Sequence, residues 1–168
     1  MNYDGVADVV GARCSGSSIA SANSVAIPNG VVMVSPASTS PAITGLDDNG
    51  LFSRTAPSDA RQGQVLASLL YGMGIEEVAV SYVNNDYGKG FADAFMDAFE
   101  KQGQAVVLLS AGHEGDKADY SAEVAALAAT GAEHLVVLAY LNQGGNQIPE
   151  RANTSRDFQS HSGGARTC

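Results

Sequence analysis

Basic residues are scarce in this chain: nine Lys and Arg stand against eighteen Asp and Glu, for a net charge of −9 and a pI near 4.5. Such a chain repels phosphate backbones, which argues against nucleic-acid binding; the excess acid serves solubility. Charged residues of either sign reach only 16%, while hydrophobic residues make up 45%, so a packed core is expected rather than disorder. No run of 18 apolar residues occurs, so no segment reads as a membrane span. The opening residues Met1-Asn2-Tyr3-Asp4-Gly5-Val6 lack a basic n-region and an apolar h-region, so no signal peptide is expected there. Cysteine is confined to Cys14 and Cys168, and nothing in the sequence shows that they pair. The length of 168 residues suits one domain, or parts of two small ones.

The motifs that would announce catalysis are also missing. There is no Gly-x-Ser-x-Gly elbow and no Gly-x-Gly-x-x-Gly dinucleotide fingerprint. His113, His134 and His161 are scattered, without metal-ligand spacing, and each reads as a surface or loop histidine. Residues 112–116 read as a surface loop. Residues 11–18, Gly-Ala-Arg-Cys-Ser-Gly-Ser-Ser, come near a phosphate-binding loop, but Ser17 stands where its lysine belongs. No acidic magnesium ligand follows a later strand, so nucleotide hydrolysis and a doubly wound enzyme with a phosphate cofactor are disfavoured. A Ser/Gly loop opening a helix still presents backbone N–H groups suited to a carboxylate. With no acid, base or nucleophile set assembled, the expected activity is binding, with no cofactor and no metal.

Strand and helix patterns alternate along the chain. Residues 6–10 form an apolar run, residues 19–27 a weak helix, and residues 31–34 a buried strand, with Pro28-Asn29-Gly30 as a turn. A polar loop and a short extended piece, 51–56, lead to Pro57. Ser58 is placed to cap a helix whose apolar face is Val65, Leu66, Leu69, Leu70 and Met73, closed by Gly74. A strand over 78–83 follows. The next helix sets Phe91, Phe95, Met96 and Phe99 against Asp93, Asp97, Glu100 and Lys101, and Gly103 ends it. A strand at 105–109 leads to a helix capped by Asp119, with Tyr120, Val124 and Leu127 inward and Gly131 as its stop. Residues 135–139 are a further strand. Residues 149–168 hold one large apolar residue, Phe158, and three of the arginines, so this tail is expected to be disordered or non-native. The alternation predicts an α/β fold: parallel sheets with helices on both faces.

Ligands in such sheets bind at the carboxyl ends of the strands, which selects the loops 11–18, 35–41 and 84–90. The second, Ser35-Pro36-Ala37-Ser38-Thr39-Ser40-Pro41, has its shape set by two prolines and offers hydroxyl donors and acceptors suited to a zwitterion. The third, Asn84-Asn85-Asp86-Tyr87-Gly88-Lys89-Gly90, carries an aromatic able to close over an apolar or ammonium group.

Taken together, these loops resemble the type I periplasmic binding proteins of branched-chain amino-acid transporters, from about Asp4 to Gly145. Residues 30–41 resemble that family's strand and "SPxAT" loop, residues 52–59 its crossover between lobes, and residues 84–90 its "DYGxG" motif. The resemblance implies two partial lobes, 1–56 and 57–148, followed by a non-family tail at 149–168. It implies that Ser15, after Cys14, binds a ligand carboxylate, that Ala37 (through its main chain) and Thr39 hold the amino-acid backbone with Ser38 beside them, and that Tyr87 reaches in from the second lobe. In the family the matching cysteine bonds one nearer the N-terminus, a position before Met1, and Cys168 is a poor substitute. The family role is solute capture for an ABC importer, in the periplasm, with delivery to a membrane permease. The alternative is a ligand-sensing domain of a receptor or an amide-responsive regulator with the same fold. The first strands, the signal peptide and the second lobe's acidic ligand residue have no counterpart, so a gene fragment with weak or no ligand binding and an exposed sheet edge is expected.

Overall fold

A computed structural model describes residues 5–155, 158 and, for the backbone, 160–166. Two parallel sheets carry the chain. The first has the order β1-β2-β3, from β1 (Asp8–Val10), β2 (Val32–Ser35) and β3 (Phe52–Arg54). The second has the order β5-β4-β6-β7, from β4 (Glu77–Val83), β5 (Val106–His113), β6 (His134–Tyr140) and β7 (Ser160–Arg166). All pairings are parallel, as continuous apolar strands joined by helices require.

In the first sheet, α1 (Ser15–Ser21) runs on through a π-helical turn, Ala22–Ala26, and a 3-10 turn, Ile27–Asn29, with Gly30 left-handed at its end. Ala22, Ala26, Val31, Met33, Ile43 and Phe52 form its small core. Val10 and Val32 face outward on the sheet's other side.

The second sheet is the larger body. α2 (Asp59–Gly72) pairs with α3 (Asp86–Phe99), while α4 (Ser121–Ala128) pairs with α5 (Gln147–Ser155). The central strands β4 and β6 are buried almost throughout, which explains their largely apolar sequence, with Ser81 as the polar exception inside β4. Ser58 caps α2 by accepting the Ala60 N–H, and the Asn85 side chain caps α3 by accepting from Tyr87 and Gly88. Asp119 accepts the Ser121 N–H at the start of α4, and Gly131 is left-handed beyond its end. Phe91, Phe95 and Phe99 are fully buried, with Phe95 and Phe99 stacked at 5.3 Å.

Three sequence expectations are corrected. The inward face of α2 is Asp59, Gly63, Ala67 and Leu70, whereas Val65, Leu69 and Met73 are 53%, 58% and 65% exposed. The reason is close helix packing: a Cβ on Gly63 would stand 2.7 Å from the Phe95 nitrogen, so α3 docks on the small-residue stripe and Val65, Leu69 and Met73 turn outward, while Leu70 stays inward as expected and Leu66 packs partly buried against the core. β5 extends through His113, so this histidine is buried at 2% exposure rather than lying in a loop. Its Nδ1 pairs with Ser81 Oγ at 2.8 Å, its Nε2 meets the Gln143 carbonyl at 3.0 Å, and burial lowers its pKa, opposed chiefly by that carbonyl. Residues 149–155, expected to be disordered, are helical, because Ile148 and Ala152 on one face of α5 are buried against the core. Residues 160–166 run as a strand beside β6.

Candidate functional site

The carboxyl ends of β1 and β2 bring the first two loops together around a single carbonyl. The Ala12 oxygen accepts from Ser35 Oγ at 2.6 Å, from Ser18 Oγ at 3.0 Å and from Ser38 Oγ at 3.4 Å. Ser18 and Ser38 are themselves 2.7 Å apart. Ser35 Oγ also accepts the Ser38 N–H at 3.0 Å and, longer, the Ala37 N–H at 3.4 Å. Buried hydroxyls need such partners, and here they replace an apolar core beneath the loops. Ser38 therefore serves the framework: its hydroxyl is taken up by Ser18 and by the carbonyls of Ala12 and Arg13.

Ser15 is differently engaged. Its Oγ accepts the N–H groups of Thr39 and Ser40, both at 3.2 Å. Two accepted bonds occupy both lone pairs, so the hydroxyl keeps its proton to donate, polarised by the two amides. Thr39, next to it in space, is 1% exposed, and its Oγ1 is buried without a hydrogen-bond partner among the described residues. A buried, unsatisfied hydroxyl costs stability unless something pairs with it, which makes Thr39 a candidate ligand position. Ala37 is half-buried beside this pair. An O–H donor and an amphoteric hydroxyl side by side match a carboxylate and an ammonium.

The loop after β2 is braced from the crossover. Arg54 donates to the Ser40 carbonyl at 2.8 Å and to Thr44 Oγ1 at 2.5 Å. The Asp59 N–H donates to the Thr39 carbonyl at 2.8 Å, and the Asp59 side chain is fully buried. Neither residue was singled out from the sequence. Both lie in the quoted 52–59 stretch, and a charged residue beginning an amphipathic helix was the available signal.

The third loop meets the first two. A Cβ on Gly16 would lie 2.9 Å from Asp86 Oδ2, and one on Gly90 would lie 2.9 Å from Pro41 Cδ. The start of α3 thus sits against both loops that carry Ser15 and Thr39. Tyr87 is not the surface aromatic an exposed cap would give: it is 1% exposed and stacked on Tyr140 with ring centroids 4.6 Å apart. Tyr140, the last residue of β6, went unnoticed in the sequence because the apolar run 135–139 stops one residue short of it. Cys14 is disulfide-bonded, a pairing the sequence alone did not show, and its partner lies outside the described residues.

Comparison with known proteins follows the same lines. Residues 1–148 match the family model described as "Receptor family ligand binding region". A Leu/Ile/Val-binding protein homolog of Brucella melitensis biotype 1 is 38% identical over 143 residues, covering 84% of this chain and 38% of its own length. The structure of an ABC transporter substrate-binding protein from Desulfitobacterium hafniense in complex with Leu is 29% identical with a TM-score of 0.71, covering 89% of this chain and 44% of that one. A leucine binding protein from Thermotoga maritima MSB8, 23% identical with a TM-score of 0.83 over 95% of this chain and 45% of that one, shares the fold. The chain spans about two fifths of the length of such relatives. The extent of the family match and the paired parallel sheets establish that the chain belongs to the receptor ligand-binding-region family, with the fold of the type I periplasmic binding proteins.

Proposed function

We propose that this chain carries part of the amino-acid cleft of a solute-binding component of an ABC importer, with a branched-chain or other aliphatic amino acid as ligand. The reading rests above all on the pair formed by Ser15, a doubly accepting hydroxyl left with one proton to donate, and Thr39, a buried hydroxyl with no partner among the described residues. Ser15 donates to the ligand carboxylate and Thr39 holds the main-chain end, with Ala37 contributing through its main chain. Residues 1–56 and 57–148 are the two lobes, and Tyr87, backed by Tyr140, is the wall on the second side. Hinge motion about the crossover closes the cleft, and the whole protein works in the periplasm, delivering its ligand to a membrane permease. The relatives named for binding leucine, isoleucine and valine support the aliphatic class.

Binding, not covalent chemistry, is the task. The hydroxyls of Ser15, Ser18, Ser35 and Ser38 are tied to amides, carbonyls and one another, and among the described residues none of these four is paired with a base. Thermal unfolding with and without millimolar leucine, isoleucine, valine and alanine tests the reading. A midpoint that rises with an aliphatic amino acid, and does so less in Ser15→Ala, is the expected result. A transition unmoved by all four contradicts it.

A further inference from the structure

We propose that Gly16 and Gly90 are the points on which the two lobes seat, so that side-chain size at these positions sets the lobe separation and the width of the cleft. The inference rests on the two-lobe reading above. A Cβ added at Gly90 would stand 2.9 Å from Pro41 Cδ and 3.1 Å from Ser40 Oγ, and one at Gly16 would stand 2.9 Å from Asp86 Oδ2. Side-chain carbons essentially never approach below 3.0 Å, so at both places the lobes are in contact only because the side chain is absent. Neither glycine has a positive φ, so backbone conformation does not demand it; space does.

These two are also distinctive in what they face. The other described glycines with close neighbours meet atoms of their own lobe: Gly63 meets the backbone of α3, Gly88 meets Val83, and Gly103 meets Tyr71. Only Gly16 and Gly90, among the described glycines, meet the opposite lobe. Asp86 and Gly90 are four residues apart on α3 and so share one face of that helix. That face rests on residues next in sequence to Ser15 and Thr39, the pair assigned to the ligand. Anything that lifts α3 off Pro41 therefore widens the gap above that pair.

The two contacts differ in stiffness. Pro41 is a ring held at the start of the 3-10 turn Pro41–Gly45, and it cannot swing away. The Asp86 carboxylate is the mobile end of an exposed side chain and can rotate. Gly90 is consequently the dominant point and Gly16 the lesser one.

Pulsed electron resonance between nitroxides on cysteines placed at the exposed positions Ser24 and Glu100 reads the lobe separation without any ligand, and Cys14 is already in a disulfide. Gly90→Ala is expected to shift the distance distribution to longer values, Gly16→Ala to shift it less, and Gly72→Ala, with open space around it, to leave it unchanged. Adding Pro41→Ala to Gly90→Ala is expected to restore the parent distance. A Gly90→Ala distribution superimposable on the parent, or a shift that persists with Pro41→Ala, overturns the proposal. If circular dichroism shows that Gly90→Ala has lost its helical signal, Gly16→Val is read in the same way: a longer distance supports the seam and an unchanged one overturns it. Because no ligand enters this measurement, a failure of leucine to stabilise the chain would count against the amino-acid reading and leave the seam result standing.

Discussion

The two sheets are built from different materials. The second is held by buried aromatic and aliphatic side chains: Phe91, Phe95, Phe99, Tyr120, Leu135 and Leu138 are all within 1% of complete burial. The first has a core of small and medium apolar residues and, above it, a cluster of buried hydroxyls from Ser15, Ser18, Ser35, Ser38, Thr39 and Ser40. Apolar packing is non-directional and tolerates repacking, whereas a hydroxyl network fixes each oxygen's direction. The difference separates an apolar scaffold from a directional one. Directional groups are concentrated around the proposed ligand position, and the apolar mass lies where only shape has to be held.

The contrast can be broken at its strongest point first. Phe95→Ala removes a fully buried ring stacked on Phe99, and a loss of about 3–5 kcal/mol is expected in urea unfolding followed by far-ultraviolet dichroism. Ser35→Ala is expected to cost less, about 1–3 kcal/mol, because it strands the buried Ser38 N–H and one bond to the Ala12 carbonyl. That loss should be confined to the first sheet. Hydrogen exchange would show faster exchange at Ser38 and its neighbours with the β4 and β6 amides unchanged, and equal acceleration in both sheets would blur the distinction.

Acid acts on the second sheet in turn. Burial holds the folded His113 pKa below its ordinary 6.5, so on acidification the unfolded chain takes up this proton first. The stability His113 contributes is complete above that value and is lost as pH falls through it toward the lower folded pKa. Glu114, Glu123 and Lys117 face the ring, and the two carboxylates resist the shift that burial imposes. Urea midpoints at about pH 7.5 and about pH 5.5 should differ in the parent and differ less in His113→Gln. Equal midpoints in the parent would remove the histidine from the account. Smallest of all, Leu69→Lys on the outer face of α2 should change stability by no more than about 0.5 kcal/mol, as expected for an exposed position.

Much of this arrangement was legible beforehand because period and punctuation agree. Ser58 and Asp119 stand at the starts of helices, the phenylalanines of α3 recur at helical spacing, and the buried strands are largely apolar runs. α2 misled because its side chains suggest one face and its glycine and alanine pack on another; tight backbone approach leaves no hydrophobic signal. The reach of β5 to His113 was hidden because Ser81, a polar residue inside an apolar strand, is the partner that makes a buried histidine tolerable. Within the site, Ser15 and Thr39 were singled out from the resemblance, but their division of labour was not. Which hydroxyl is saturated, as Ser38 is, and which lacks a partner among the described residues, as Thr39 Oγ1 does, is set by distances that a single sequence does not contain.

The pair formed by Ser15 and Thr39 is the centre of the account, and amide chemical shifts under leucine titration test it most directly. Millimolar leucine is expected to move the Thr39 and Ser40 amides, whose protons point at Ser15 Oγ, and leucinamide, which lacks the carboxylate, to move them far less. Identical shifts with leucine and leucinamide, or no movement at these amides with either, would contradict it.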